Sequence, residues 1–271
     1  MATRINKYLS EAGFCSRREA DKLIDLGRVT VNGELPEKGQ KVDEEDLIKV
    51  DGNIILKNVK MIYIALNKPP GIVSTTDPTI ENNIVDFLNH PKRLFHVGRL
   101  DKPSEGLIFM TNDGDIVNKI LRAGNSHEKE YIVKVDKKIT AKFLKDMSNG
   151  VPIMDTVTKK CKVEQINDFE FKIILVEGLN RQIRKMCDYL GYKVYKLKRV
   201  RIMNIKLDVP TGKWRYLTEK EMADMNKLIE TSSMTEEASN WLKFMELKHV
   251  VLIKKELDIF KITILKLLLL I

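Results

Sequence analysis

The carboxylate best placed to do chemistry is Asp101, in the run Gly98-Arg99-Leu100-Asp101-Lys102. Cations on both sides of a carboxylate favour its charged form even where water is scarce. A charged aspartate can attack a carbon, take a proton, or do no more than hold a neighbouring cation. On residue types alone the commoner reading is a solvated ion pair, and such pairs contribute little. A second concentration of charge lies at 180–206, with nine Lys or Arg against one acid, Asp188. Such a block repels itself unless an anion lies beside it, so it is either a solvated face or a surface that contacts phosphates. Motifs for other chemistries are missing. There is no GxxxxGK[ST], no GxGxxG and no GxSxG. His127-Glu128 begins like a zinc-protease helix, but the fifth position is Tyr131, and the four histidines never cluster at ligand spacing. The three cysteines are far apart, which excludes a zinc ribbon and makes a disulfide framework improbable. An enzyme built on this chain is expected to use no metal and no cofactor, only carboxylate, tyrosine and arginine chemistry.

The elements that must position these residues fall into two textures. In the first 60 residues, eleven Lys or Arg balance eleven Asp or Glu. Ile5, Tyr8, Leu9 and Ala12 recur at helical spacing, and Gly13 ends that helix. Ser16 and Glu19 form a capping box before a second helix, with Ala20, Leu23, Ile24 and Leu26 on its apolar face and Gly27 closing it. Val29-Thr30-Val31 runs into Asn32-Gly33, a hairpin turn signal, and short strands follow on both sides of Asp51-Gly52. Residues 51–61 read as a linker. From Tyr63 onward, apolar strand-like runs (62–66, 107–110, 131–135, 169–176) outnumber helical ones (about 115–122, 140–148, 181–190) and do not alternate regularly with them. That pattern predicts an α+β fold with a mixed, mainly antiparallel sheet and argues against a doubly wound one. The expected domains are 1–55, 62–230 and a C-terminal tail, 231–271.

Two helices and a hairpin, with Arg17 and Arg18 opening the second helix, resemble the S-four-type RNA-binding module over about residues 2–50. Arginines at a helix start oppose the helix dipole, and a phosphate at that terminus would account for them. The segment His96 to Gly114, read whole, resembles the catalytic motif of bacterial pseudouridine synthases of the RsuA type. Glu128-Lys129-Glu130-Tyr131 matches the family's Lys-x-Tyr strand, Glu177 to Met186 its third motif, and Gly212 to Thr218 its closing segment. The order is the family's, behind an S-four module, over about residues 2–230. Gly178-Leu179-Asn180-Arg181-Gln182-Ile183-Arg184, followed by Arg201-Ile202-Met203-Asn204, resembles the large-subunit branch F of that family. Pro103-Ser104 departs from the acidic-then-hydroxylic wording of many relatives, with little consequence expected.

The resemblance implies an isomerase that detaches the uracil of a uridine, turns it and rejoins it through carbon 5. It implies Asp101 as the catalytic carboxylate and Arg184 as its partner. It implies Tyr131 on the uracil face, managing the carbon 5 proton, and Arg99 in the space left by the flipped uridine. The apolar alternation of Tyr131, Val133 and Val135 also reads as core. The expected RNA contacts are Arg4, Arg17, Arg18, Arg181, Lys185, Lys196, Lys198, Arg199 and Arg201. The implied partner is 23S rRNA or a ribosome assembly intermediate, with tRNA as a second substrate. The rival reading is an inactive RNA-binding or assembly factor, which would have no need of Arg99, Asp101, Tyr131 and Arg184 together.

A formal net charge of +9 and a pI near 9.2 fit a polyanionic partner. Met1 to Gly13 carries early charges and no apolar run, so no secretory signal is expected, and residues 1–230 hold no membrane-length apolar stretch. A cytoplasmic monomer is the expectation. The tail ends in Ile262 to Ile271, apolar but too short to span a bilayer; it is expected to dock on the domain or to have no role, rather than to bind a membrane.

Overall fold

The structure, a computed structural model, describes residues 2–57, 60–121 and 126–230. The tail and the expectations attached to it lie outside the described residues. The N-terminal module begins with a strand, Thr3–Arg4, paired with Lys41–Val42, and two helices, Ile5–Glu11 and Arg17–Asp25. Ser16 accepts from the Glu19 amide at 3.2 Å, and the Glu19 carboxylate faces the Ser16 amide in return, completing the capping box. A three-stranded sheet follows, in the order Val29–Val31, Ile48–Val50, Asn53–Ile54. Asn32 and Gly33 both take positive φ, as a tight reversal requires. The chain leaves that turn after one bridge, Val31 to Glu34, and the lasting partner of Val29–Val31 is Ile48–Val50. The expected linker is partly structure: Ile55 packs on this core and its carbonyl accepts from the Tyr8 hydroxyl at 3.1 Å.

The second module is built on a nine-stranded sheet in the order 162–167, 170–175, 129–135, 194–202, 105–111, 63–68, 214–216, with 205–206 and 95–97 as side additions. The pair between Val194–Ile202 and Glu105–Thr111 is parallel; the other pairs of this sheet are antiparallel. Alternation along each strand sends side chains to two cores. Leu66, Ile108, Tyr131, Val133 and Leu197 face one, under the helices Ile84–Leu88, Ala141–Asn149 and Gln182–Tyr189. Ala65, Leu107, Phe109 and Ile202 face the other, under Gly114–Leu121 and Glu219–Ile229. Covered on both sides, Glu105–Thr111 is buried along its whole length. The two modules meet where Lys7 Nζ lies 2.6 Å from Asp115 Oδ1, in the first turn of Gly114–Leu121. Among the described residues no helix is long and apolar enough to cross a membrane.

One glycine decides how the central strands fit. Gly106 pairs with Arg199 in the parallel ladder and has φ +108°. A Cβ there would overlap the Arg199 carbonyl oxygen and stand 2.6 Å from the Arg199 nitrogen. Only a residue without a side chain lets the two backbones approach this closely.

Candidate active site

The strand Glu105–Thr111 is entered through the Asp101 loop, and that loop is tied down from below. Ser74 Oγ donates to the Leu100 carbonyl at 2.9 Å and accepts from the Leu100 amide at 3.2 Å. The Gly71 amide donates to the Lys102 carbonyl at 2.7 Å, and the Ser104 amide to the Asp101 carbonyl at 2.9 Å. Asp101 is thereby presented at the wall of a cavity of about 680 Å³. Tyr131 lines the same cavity from the sheet. Arg181 and Arg184 reach it from the start of the helix Gln182–Tyr189, and Arg99 is exposed where it borders the opening.

The helix start is held by its own polar residues. Glu177, itself buried, accepts from Gln182 Nε2 at 2.8 Å and from the Lys159 amide at 2.9 Å. Gln182 Oε1 accepts from the Leu179 amide at 3.1 Å, and Arg181 turns into the helix at φ +51°. From there Arg184 makes three contacts. Nη1 donates to the Val194 carbonyl at 3.2 Å, Nη2 donates to Ser104 Oγ at 3.2 Å, and Nε lies 3.8 Å from Asp101 Oδ2. Arg181 Nη1 lies 4.0 Å from the same oxygen. These are ion-pair distances rather than hydrogen bonds, an open arrangement common in catalytic sites without substrate. Burial lowers the pKa of the Arg184 guanidinium, and Asp101 opposes that shift. Ser104, expected to matter little, is fully buried and completes the arginine's shell.

Tyr131 is both things the alternation allowed. It is 8% exposed and packed with Val133 and Ile173, yet it borders the cavity. Strand alternation, interrupted by a register shift between Arg199 and Arg201, also sorts the basic block. Lys196 is on the outside, 3.1 Å from Glu105, and Lys198 is part-exposed. Arg199 is 4% exposed and lines the cavity, donating from Nε to the Leu107 carbonyl at 2.6 Å. It therefore does not lie on an open phosphate-binding surface. Arg201 is held by Glu128 at 2.9 Å and Glu130 at 3.0 Å, so its charge is already answered. Lys185 donates to Asn180 Oδ1 at 3.1 Å. Arg4, Arg17 and Arg18 are exposed on the N-terminal module, away from the cavity lining, and Arg17 reaches toward Gly114 of the second module.

Two lysines went unassigned in the sequence. Lys68 is fully buried and donates to the carbonyls of Pro69 at 2.9 Å and Ile72 at 2.8 Å. Lys129 is 7% exposed and donates to the His127 carbonyl at 3.1 Å. Burial pushes each ammonium down to about 8; Arg199 pushes the same way, while Asp101 and Glu105 oppose the shift at Lys68. Among the described residues no three His, Cys, Asp or Glu gather as a metal site would need.

Residues 62–189 match the family of RNA pseudouridylate synthases, and residues 3–48 match the S4 domain. The dual-specificity RNA pseudouridine synthase RluF of Escherichia coli (strain K12) is 58% identical over 235 residues, covering 86% of this chain and 81% of that protein. The chain belongs to the RNA pseudouridine synthases. Within that family the synthase is also 32% identical to the ribosomal large subunit pseudouridine synthase B of Bacillus subtilis, over 83% of this chain and 96% of that one. A solved pseudouridylate synthase superposes with a TM-score of 0.61 at 27% identity, covering 82% of this chain and 99% of that one. The synthase thus joins an RNA-binding module to a catalytic domain, and its chemistry is the isomerisation of uridine in RNA.

Proposed function

We propose that the synthase converts a specific uridine of 23S rRNA to pseudouridine through Asp101, with a tRNA anticodon uridine as a second substrate. The observation that carries this reading is the single cavity lined by Asp101, Tyr131, Arg184 and Arg99. Its large-subunit assignment is supported by relatives whose names carry ribosomal large-subunit or dual RNA specificity. The target base leaves its stack, Arg99 takes the vacated space, and the nucleotide enters beside Asp101. Asp101 acts on the sugar while the bond from carbon 1′ to nitrogen 1 breaks. Arg184, fixed by Val194 and Ser104, orients the carboxylate. The Tyr131 ring supports the turned uracil and its hydroxyl receives the carbon 5 proton. The product is an isomer of the substrate, so the reaction consumes no oxidant, reductant or energy source, and the chemistry is assigned to side chains alone.

Arg4, Arg17 and Arg18 on the S4 module and Arg181, Lys185, Lys196 and Lys198 on the catalytic domain grip the RNA backbone. Phosphate contacts of this kind position the substrate without choosing a base. Choice falls to the shape of the RNA and its unstacked nucleotides, read by both modules together. The synthase works as a monomer in the cytoplasm, where its substrates are made. The test is to map pseudouridine in rRNA and tRNA from cells with and without the gene. Loss at one 23S site and one tRNA site is expected. Unchanged maps would contradict the assignment.

A further inference from the structure

Among the described residues, two cations in the cavity wall have no carboxylate of their own. Arg199 is 4% exposed and Lys129 is 7% exposed, and both line the cavity. The acids around them are committed elsewhere: Glu105 to Lys196, Glu128 and Glu130 to Arg201, Asp101 to Arg184 and Arg181, and the buried Glu177 to Gln182 and the Lys159 amide. Arg199 Nη2 is buried with no hydrogen-bond partner among the described residues. Among the described residues Lys129 has one acceptor, the His127 carbonyl, for its three donors. A buried guanidinium with an unmet donor, next to a buried ammonium, is an arrangement proteins seldom keep unless a ligand completes it. The ladder places both on Tyr131's side of the sheet. Arg199 pairs directly with Tyr131, and Lys129 lies two residues before Tyr131 on its strand. The cavity therefore holds its uncompensated positive charge at the wall that Tyr131 occupies, beside the Asp101 loop. Burial, then Arg199, bring Lys129 down to about 8, a cost to its charged form that an anion beside it would relieve.

We propose that Arg199 and Lys129 bind the carbonyl oxygens of the detached uracil and hold the negative charge it carries between bond breaking and rejoining. The inference rests on the reading that Asp101's cavity takes the target uridine. When the bond from carbon 1′ to nitrogen 1 breaks, its electron pair leaves with the uracil and spreads over nitrogen 1 and both carbonyl oxygens. After the ring turns, carbon 5 uses that pair to form the new bond to carbon 1′. Carbon 5 then loses a proton and nitrogen 1 gains one, so the product is an isomer and neither cation is consumed. Fixed donors at the place where charge develops accelerate such a step more than they tighten binding.

The experiment uses the full-length synthase under single turnover, on an RNA that the wild-type protein modifies. That RNA carries either uridine or 5-fluorouridine at the target. Fluorine stabilises the uracil anion by itself, so the donors matter less for that substrate. Disappearance of the original nucleoside is followed by chromatography of nuclease digests. Arg199→Gln is expected to slow loss of uridine by about 100-fold and loss of 5-fluorouridine by about tenfold or less, with RNA affinity within about threefold of wild type. Lys129→Met, which removes a buried charge without adding volume, is expected to show the same contrast and carries the test alone if Arg199→Gln does not fold. Equal slowing on both substrates would overturn the proposal. So would weaker binding with a flatter salt dependence and an unchanged rate at saturation, the signature of a phosphate contact. Asp101→Asn is run beside them. If it stays active, the site reading itself has failed; if it is inactive while the other variants slow both substrates alike, only the role given to Arg199 and Lys129 has.

Discussion

Replacing Gly106 with alanine tests whether the two central strands hold the site together. The new Cβ would overlap the carbonyl oxygen of Arg199 and stand 2.6 Å from its nitrogen, and both are backbone atoms that cannot swing away. To restore ordinary contact the strands must part by about 1 Å. The backbone also holds φ +108°, which a side chain disfavours by about 1–2 kcal/mol. Overpacking of a close contact adds about 1–3 kcal/mol, so the expected loss is about 4 kcal/mol. For a domain of this size, that lowers the melting temperature by about 8–16 °C. The displacement falls between the strand that follows the Asp101 loop and the strand that carries Arg199. A 1 Å shift there should slow turnover by about 100-fold even below the melt. Gly191 is the control: its φ is +80°, but a Cβ would meet nothing within 4 Å. Gly191→Ala should lose only about 1 kcal/mol, or about 3 °C, and keep its activity. Calorimetry and a tritium-release assay on RNA labelled at carbon 5 of uridine read both effects. A Gly106→Ala protein that melts within about 3 °C of wild type and turns over at full rate would refute the reasoning.

The same structure yields three more outcomes. Lys129→Met should raise stability at pH 7, because bringing the ammonium from its ordinary 10.5 to about 8 reflects about 3 kcal/mol of charge burial. Its folded pKa is depressed, so that penalty is full below pH 8 and fades toward pH 10.5, where the unfolded chain has also lost the proton; melting curves showing no gain at pH 7, or a larger gain at pH 10, would contradict the sign. Tyr131→Phe should slow turnover by about 100-fold while the melt barely moves, since the packed ring survives; an early melt with normal turnover would make the hydroxyl structural. Replacing Lys196 and Lys198 by glutamine should flatten the log–log salt dependence of RNA affinity by about 1.5. Arg199 is left out because it is buried, and an unchanged slope would mean that the RNA does not touch these lysines.

Much of this was legible in the chain because local chemistry and tertiary structure agree. The Ser16–Glu19 box and the apolar runs at 62–66 and 107–110 each became the expected element, and Asn32-Gly33 made its tight turn without the two-stranded hairpin it signals. The gathering of Asp101, Tyr131 and Arg184 followed from motif order, which stands in for the long-range contacts a sequence does not display. What stayed hidden depends on burial and register. The run at 180–206 reads as uniform positive charge, yet Lys196 faces outward and Arg199 faces the cavity, and a register shift between Arg199 and Arg201 turns Arg201 onto Glu128 and Glu130. Period-two alternation from Tyr131 was enough to put Lys129 on the same face. Lys68 gave no such sign. Next to Pro69-Pro70-Gly71 it reads as loop, and lysines are seldom buried; only the folded chain brings the Pro69 and Ile72 carbonyls to its ammonium. Ser104 owes its importance to Arg184, 80 residues away.

The central claim is that Asp101 performs the isomerisation, and Asp101→Asn tests it most directly. The substitution keeps the shape of a side chain that is 31% exposed, removes its charge and turns one acceptor oxygen into an NH2 donor. With RNA labelled at carbon 5 of uridine, the account predicts no tritium release above background and RNA affinity within about threefold of wild type. Release at the wild-type rate would contradict it.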